Sequence, residues 1–583
     1  MNIKLNTKLV FYCLTISLII IKYLTFSKIN LVNSLNSLIP FSDSYYFDRI
    51  FSAKNSFLIE SPYVGNGAIK NQDIDSFSIP ENMNRAIFFV LDKNIALTYY
   101  VFALICLTVL LFISVKFLNP YTDKVLFTLF FLSLSLIALF GNNPIIDTNY
   151  VFNRIISPQF HLVFWVLLIY LTYKLLSEDD KRKLQIKLTL LSAGTGLTLY
   201  LHYPFIFFCS IVSYFLVNTV IFCRFKNFRI LVLPSFVMVL LAVPTITKYF
   251  SNTEPVTSDD YLIRHGLILS RFPGAIYPFI ISILILICIK LFKIWSPRLG
   301  IIAPKHQLTA LTISTISVLF ACQSNVITGF SLQFSDHFDF LANANLMLLF
   351  SLIMMHLPIK KTFLVKIPPR LLNSKHVNSQ YILILTVNIL LLSFLVSLPN
   401  LDKFNQDKFN YDSAIKEKSV QNLIIDIEKV SPISFLTNAK ILYSPSIVNY
   451  EYSNRDLVDR LLVSKGCIET LNKRDTNPIY APSIEATKQK INTINKVNSL
   501  FAFPFLDTHI QQLRSEITKR EVDFKIQIDD VLTNSDVSCI QRALNYGITA
   551  VIYSSSSEWN TIIKYYNLSQ KQIYDDTYIS YIN

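Results

Sequence analysis

The stretch AIYPFIISILILICIKLFKIWSPRLGIIAPK, residues 275–305, shows the pattern that decides the fold. Its apolar run, 275–292, is close to the roughly 20 residues that an α-helix needs to cross a bilayer. The run ends in a basic segment that contains Lys290, Lys293 and Arg298. Because lysine and arginine concentrate in the cytoplasmic loops of membrane proteins, the stretch predicts a membrane-spanning helix whose C-terminal end faces the cytoplasm.

The same alternation of apolar runs and basic segments recurs along the chain. With the N-terminus inside, every basic segment falls on the cytoplasmic face, which is typical of a polytopic α-helical membrane protein. The basic segments are Lys4 and Lys8, Lys116 and Lys124, 181–187, 224–229, 290–305 and 360–375. We predict eleven spans, of which several are short enough to be broken or half-inserted helices: 9–26, 96–116, 125–140, 160–176, 188–201, 205–222, 230–250, 275–292, 308–321, 341–357 and 381–398.

The composition supports the same fold class. Of the 583 residues, 52% are hydrophobic and 16% are charged, and the mean hydropathy is +0.43, unlike an average soluble protein. The formal net charge of +14 lies mostly in the basic connections. We therefore expect anionic membrane lipid, and not nucleic acid, as its partner. The first run, 9–26, continues to Lys22 and Lys28 without a small-residue cleavage site, which predicts a retained anchor.

The prediction divides the chain into two domains. Residues 1–399 form a multi-span transmembrane domain with a large first outer loop at 28–94. Residues 400–583 are long enough for one soluble α/β domain outside the cytoplasm. Its predicted elements are strands near 441–443 and 549–553 and helices near 506–520, 535–546 and 558–570.

Cys467 and Cys539 are the two cysteines of this tail. A disulfide between them is compatible with an extracytoplasmic location. Sequence does not give their separation, so the alternative of two free thiols stays open. The chain contains no CxxC, HExxH, P-loop or GxSxG motif, so none of these patterns assigns a metal, nucleotide or hydrolase site.

The first candidate site lies in FSDSYYFDR, residues 41–49, where Asp43 and Asp48 follow a span. A carboxylate there could act as a general base toward a hydroxyl, or bind a divalent cation that holds a phosphate. On one helix the two side chains would point about 140° apart, so one of them is expected to be structural. The alternative is that Asp43 caps a helix and Asp48 pairs with Arg49 or faces solvent.

Two further candidates stand at the outer ends of other spans. Arg154 precedes a span and could hold a lipid phosphate with its fork of donors. The alternative is an interfacial arginine that meets a headgroup or packs with Asp147. His202 lies in LHYP, residues 201–204, where Pro204 predicts that the chain turns back. His202 could bind phosphate or transfer a proton, or it could only bond the carbonyls that the turn frees.

The late connection between spans is unusually polar. It reads QSNVITG at 323–329 and continues to 337. Amide, carboxylate and imidazole groups suit sugar hydroxyls as donors and acceptors. The alternative is a solvated loop with helix caps. The candidate sugar- or acceptor-binding residues are Gln323, Asn325, Gln333, Asp336 and His337.

These features together resemble the GT-C superfamily of membrane glycosyltransferases and their bacterial relatives. Members have many spans, an acidic first outer loop and often a soluble C-terminal domain. The resemblance covers about 1–400 and extends to motifs in the tail. It rests on DSYY at 43–46, Gly196 with LHYP at 201–204, QSNVITG at 323–329 with Gln333 and His337, YGITAVIY at 546–553, and YISY at 578–581.

The resemblance implies transfer of a sugar from a polyprenyl-phosphate carrier to an acceptor outside the cytoplasm, in the bacterial plasma membrane. Asp43 would be the base, with Asp48 in reserve, and Arg154 and His202 would hold the carrier phosphate. The 323–337 connection would hold the sugar or acceptor. The first loop lacks an Asp-x-Asp or Glu-x-Asp pair, which puts a metal-dependent mechanism in doubt, although a divalent cation stays open.

Two other classes of function remain open. The first is a lipid-linked saccharide flippase or a polymerase. An ion-coupled transporter is disfavoured because the span interiors carry almost no charge. The second is a non-catalytic assembly or sensor protein whose outer tail binds a partner. Deletion of the tail would abolish the function of such a protein, whereas substitution of Asp43, Arg154 and His337 would not.

Overall fold

The computed structural model describes part of the chain, which is mostly helical with a small mixed sheet near the C-terminus. The described residues are 50, 78–91, 95–119, 125–140, 159–201, 204–251, 268–269, 275–299, 302–328, 330–331, 337–356, 420, 422–426, 440–442, 454–467, 481–501, 504–533, 538–574 and 576–582.

Eleven helices and two short strands precede residue 357 in the described ranges. Two 3-10 helices stand at Thr198–Leu201 and Pro297–Leu299. The elements are α1 (Ile79–Val90), α2 (Ile95–Leu118), α3 (Val125–Phe140), α4 (Gln159–Leu176), α5 (Lys181–Leu197), α6 (Pro204–Phe225), α7 (Arg229–Ser251), β1 (Ile268–Leu269), α8 (Ile276–Trp295), α9 (Lys305–Cys322), α10 (Ser324–Thr328), β2 (Phe330–Ser331) and α11 (Phe338–His356).

Five of the described helices are long and apolar enough to cross a membrane. They contain the apolar segments Val101–Leu118, Gln159–Leu176, Phe205–Phe225, Ile276–Trp295 and Phe338–His356. Helices also stand at the predicted spans 125–140, 188–201, 230–250 and 308–321. The first and last predicted spans, 9–26 and 381–398, lie outside the described residues. The chain is therefore a helical protein compatible with a membrane location.

Helix α4 lies at the centre of the bundle. It packs against α2, α5, α6, α9 and α11, and Trp165 on α4 is fully buried. The helix is apolar over most of its length, and its apolar side chains are buried by neighbouring helices on several sides. Most of the core side chains are leucine, isoleucine, valine and phenylalanine from these helices.

Helix α7 lies at the edge of the bundle, where α5 is its main neighbour. It contains Pro234 and Pro244, and its outward face is apolar and exposed at Phe236 and Leu240. The Ser192 hydroxyl donates to the Pro234 carbonyl. An apolar face of this kind suits contact with lipid chains. Lipid chains are as apolar as these side chains, so the side chains do not need to be covered by protein.

One end of the bundle gathers two of the predicted basic segments. The connection between α4 and α5 meets the end of α6, where Arg224 pairs with Asp179 and donates to the Glu178 carbonyl at 3.1 Å. Lys187 pairs with Glu178 at 2.5 Å. The hydrogen bond from Lys187 holds the pKa of the Glu178 carboxyl below its ordinary value. The segments 181–187 and 224–229 therefore lie together, as alternate crossings predict.

At the opposite end of the bundle, described residues from two of the connections predicted to lie outside meet. Strand β1 follows α7, strand β2 follows α10, and the two pair antiparallel, with Ile268 opposite Ser331. The helix at Ala481–Phe501, from the tail, packs against β1. The described part of the tail thus contacts this end of the bundle.

The tail combines helices with a five-stranded sheet in the order β4-β3-β5-β7-β6. Strand β3 is parallel to β4 and β5, whereas β5, β7 and β6 are antiparallel. The elements are β3 (Asn422–Asp426), β4 (Lys440–Ile441), α12 (Asn454–Ser464), α13 (Ala481–Phe501), α14 (Pro504–Thr533), α15 (Cys539–Asn545), β5 (Ala550–Ser554), α16 (Glu558–Tyr565), β6 (Gln570–Tyr574) and β7 (Thr577–Tyr581).

A tryptophan and a disulfide both connect the C-terminal end of α12 to other elements that pack on the sheet. Trp559 is fully buried, and its Nε1 donates to the carbonyls of Val463 and Ser464, both at 3.2 Å, at the end of α12. Cys467, just after α12, forms a disulfide with Cys539 at the start of α15. The pair that the sequence left open is therefore bonded in the structure.

Candidate functional site

The structure describes only the late members of the predicted site. Gln323, Asn325 and His337 lie in the described ranges. The predicted carboxylates, phosphate-binding groups and two members of the late connection lie outside the described residues, and their roles stay predictions. These residues are Asp43, Asp48, Arg154, His202, Gln333 and Asp336.

The late connection brings four helix ends together. Gln323 follows the last residue of α9, and its Nε2 donates to the carbonyl of Ala275, just before α8, at 3.1 Å. Asn325 is buried in α10. His337 precedes α11, and its ring centroid lies 5.1 Å from that of Phe205 at the start of α6. The ends of α6, α8, α9 and α11 therefore meet at this connection.

A second set of polar groups lies in the first turns of α8 and α11. The Tyr277 hydroxyl donates to the Asn343 carbonyl oxygen at 3.1 Å, and Asn343 is fully buried. Asp339 lies within electrostatic range of Tyr277 and of Cys322. These residues were not predicted from the sequence. The available signal was the four-residue spacing of Asp339 and Asn343, which puts both on one face of α11.

A third polar cluster lies deeper in the bundle. The Asn345 carbonyl oxygen accepts from Trp165 Nε1 at 3.1 Å and from the Ser314 hydroxyl at 3.4 Å. The Asn345 amide donates to the Thr315 hydroxyl at 3.4 Å. Hydrogen bonds between buried side chains fix neighbouring helices in a membrane bundle. Asn345 thereby joins α4, α9 and α11, so we interpret this cluster as structural.

The predicted helix break at LHYP is present. The 3-10 helix ends at Leu201, and α6 begins at Pro204. The carbonyl of Leu201 lies 3.0 Å from Nε2 of His161. Because a carbonyl only accepts, Nε2 of His161 carries the proton. A histidine does bond the carbonyl at the break, but in the described residues it comes from the start of α4.

The first outer loop contributes one described helix to this end of the bundle. Helix α1 packs against α2 and against the 3-10 helix that precedes the break. Its residues Glu81, Asn84 and Arg85 are fully buried, and Arg85 donates to the carbonyl of Ile50 at 2.6 Å. The acidic candidates predicted from the sequence lie earlier in the loop, and Glu81 was not among them. Its only signal was the four-residue spacing to Arg85, which does not reveal burial.

The described part of this end offers amides, a phenol, imidazoles and carboxylates. Such groups both donate and accept, which suits ligands rich in hydroxyl groups. Within the described ranges, no group of three histidine, cysteine or acidic side chains is placed to hold a metal ion. A comparison of the chain with protein-family models, curated proteins and solved structures finds no match.

Proposed function

We propose that this protein is a membrane-embedded glycosyltransferase that moves a sugar from a polyprenyl-phosphate carrier to an acceptor outside the cytoplasm. One observation carries the proposal. Buried polar and charged residues of the first loop and of the late connection collect at one end of an apolar bundle. Burial of such groups is costly, so their collection there favours a functional site over a plain helix cap.

The proposed reaction assigns a role to each predicted group. The carboxylate of Asp43, or of Asp48 in reserve, takes the proton of the acceptor hydroxyl. The acceptor oxygen then attacks the anomeric carbon with inversion, and the bond to the carrier phosphate breaks. Arg154 and His202 hold the leaving phosphate, alone or beside a divalent cation. The sugar or acceptor is held by Gln323, Asn325, Gln333, Asp336 and His337.

The proposed arrangement places this end of the bundle outside the cytoplasm of a bacterial cell, with eleven spans and the N-terminus inside. The cations at the opposite end support that orientation, because basic residues concentrate on the cytoplasmic side. The disulfide of the tail supports it too, since disulfides persist in oxidising compartments. The contact between α13 and β1 supports placement of the tail on the same face.

The test uses cells that lack the protein and are complemented with full-length variants. A missing transferase leaves its donor unused, so polyprenyl-phosphate-linked sugar should accumulate and be detectable by mass spectrometry of lipid extracts. Asp43→Asn should reproduce the accumulation at normal protein abundance, because an amide cannot take the acceptor proton. Asn33→Asp, in the same loop, serves as the control and should restore the wild-type level.

Two results would contradict the proposal. The first is an unchanged lipid profile when the whole protein is missing. The second is full activity of both Asp43→Asn and Asp48→Asn. If deletion of 400–583 abolishes function while both substitutions leave it intact, the chain is instead an assembly or sensor protein that acts through its tail.

A further inference from the structure

Asn343 has a fully buried side-chain amide, and only one of its two polar groups is hydrogen-bonded among the described residues. Its carbonyl oxygen accepts from Tyr277, whereas its Nδ2 has no hydrogen-bond partner among the described residues. Its exposed fraction is 0%. A buried amide group that lacks a partner costs free energy, so such groups are rare in native proteins and call for an explanation.

In the nearby Gln323 it is the acceptor, and not the donor, of the side-chain amide that lacks a partner among the described residues. Its Nε2 donates to the carbonyl of Ala275, two residues before Tyr277, but its Oε1 is a buried acceptor that has no partner in the described ranges. Asp339 adds a carboxylate within electrostatic range of Tyr277. The open donor of Asn343 and the open acceptor of Gln323 therefore belong to side chains that both bond residues 275–277, where α8 begins. We refer to Tyr277, Gln323, Asp339 and Asn343 as the Asn343 site.

The chemistry of these groups selects the ligand. A hydroxyl both donates and accepts, so it satisfies an open amide donor and an open carbonyl acceptor together. A phosphate only accepts in its ionised form and would be repelled by Asp339. The segments that meet here, 275–277, 322–325 and 337–343, contain no lysine or arginine. The Asn343 site thus favours an uncharged polyol over an anion.

We infer that the Asn343 site binds hydroxyl groups of the transferred sugar. The inference rests on the proposed function, because it supplies the sugar-binding part of that site and leaves the carrier phosphate to other residues. Tyr277, Asp339 and Asn343 are positioning groups in this arrangement. They orient the sugar ring and take no part in bond formation.

The experiment measures sugar binding by the full-length protein in lipid nanodiscs. The probes are methyl glycosides of common hexoses and pentoses, and their binding is measured by saturation-transfer NMR. The key variant is Tyr277→Phe combined with Asn343→Leu, because apolar replacement of both partners of a buried hydrogen bond is nearly neutral for folding. We expect the wild-type protein to bind at least one glycoside and the double variant to bind it about tenfold more weakly or worse, with an unchanged melting temperature.

Asp339→Asn provides a second variant that keeps the shape of the side chain, and it should weaken the same glycoside. Asn345→Leu is the matched control, since Asn345 is equally buried on α11 but has its donors and acceptors partnered. It should lower the melting temperature and leave binding unchanged.

The inference is overturned if the double variant and Asp339→Asn both bind the glycoside as the wild-type protein does. It is also overturned if the wild-type protein binds none of the probes. A different result separates the two proposals. If the glycoside binds through the Asn343 site but no carrier-linked sugar accumulates in cells without the protein, the sugar site stands and the transferase proposal fails.

Discussion

Two asparagines on α11, two positions apart, illustrate how differently buried amides are used. Asn343 faces α8, and Asn345 faces α4 and α9. A separation of two residues turns a helical side chain by about 200°, so the two cannot share a neighbour. The partnered amide of Asn345 suits a structural role, whereas the open amide of Asn343 suits a ligand.

Substitution of Asn345 should therefore destabilise the bundle. Asn345→Leu leaves the Trp165 donor and the Thr315 hydroxyl without their partner, and we expect a loss of about 1–3 kcal/mol in the free energy of unfolding. Unfolding in mixed detergent micelles, followed by circular dichroism, measures the loss. Thr312→Val is the control, because among the described residues the Thr312 hydroxyl bonds only the Leu308 carbonyl of its own helix. Equal stability of the two variants would contradict the structural role of Asn345.

We expect Lys490 to make the stability of the tail depend on pH. It is 7% exposed on α13, and burial lowers the pKa of its ammonium from 10.5 to about 8. Between these two values the unfolded chain binds more protons than the folded chain, so stability rises with pH through this window and is lowest below it.

Lys490→Met should remove this dependence and raise the free energy of unfolding at neutral pH, by up to about 3 kcal/mol. Thermal unfolding of the purified protein between pH of about 7 and about 10 gives the measurement. Lys488→Met is the control, since Lys488 is exposed on the same helix, and it should keep the wild-type rise with pH. A wild-type protein whose tail loses stability as pH rises through this range would refute the sign of the effect.

At the scale of elements, the α5–α7 contact depends on glycine. A Cβ atom added at Gly196 would lie 3.0 Å from Leu241 Cβ and 3.2 Å from the Met238 carbonyl oxygen. A Cβ atom at Gly194 would instead meet only the end of the Leu168 side chain, at 3.0 Å. The end of a side chain can move to another rotamer, whereas the backbone cannot move without shifting the helix. We therefore expect a Cβ atom to be tolerated at Gly194 but not at Gly196.

Gly196→Ala should push α7 away and destabilise the bundle by about 1–3 kcal/mol. Gly194→Ala should be close to neutral, because alanine favours the helical state by up to about 1 kcal/mol over glycine and Leu168 can change rotamer. Thermal unfolding of the two variants side by side tests the difference. The packing of α7 described above is wrong if Gly194→Ala proves the more harmful of the two.

The sequence predicted the helices of the bundle well because their signal is local. A long apolar run predicts a membrane-spanning helix without any information about the rest of the chain. Each predicted span in the described ranges contains a helix. Helix α5 begins earlier than predicted, at Lys181, because the Asp180 side chain accepts from the backbone of Arg182 and Lys183 and caps it. The helix predicted at 558–570 ends at Tyr565, since Gln570 pairs with β7.

The candidate site was harder to predict because its contacts are distant in sequence. The polar character of Gln323 and His337 was visible, but their neighbours Ala275 and Phe205 come from other connections. Asn343 lies inside an apolar run, and only the structure reveals its unpartnered donor. Polarity can be read from sequence, whereas convergence and burial depend on how the helices pack.

In the molecule as a whole, the proposed function requires the two ends of the bundle to face different compartments. One end carries the ion pairs of Lys187 and Arg224. The other carries the β1–β2 pair, the polar groups of the candidate site and the contact with the tail. Sugar transfer outside the cytoplasm requires the second end to face outward.

Labelling of single cysteines with a membrane-impermeant maleimide tests this requirement most directly. Lys564→Cys in the tail and Lys183→Cys at the start of α5 are both exposed positions, and each is placed in a chain whose unpaired native cysteines are replaced by serine. We predict that residue 564 reacts in intact cells and that residue 183 reacts only after the membrane is permeabilised. Labelling of residue 183 in intact cells, with residue 564 protected, would contradict this prediction.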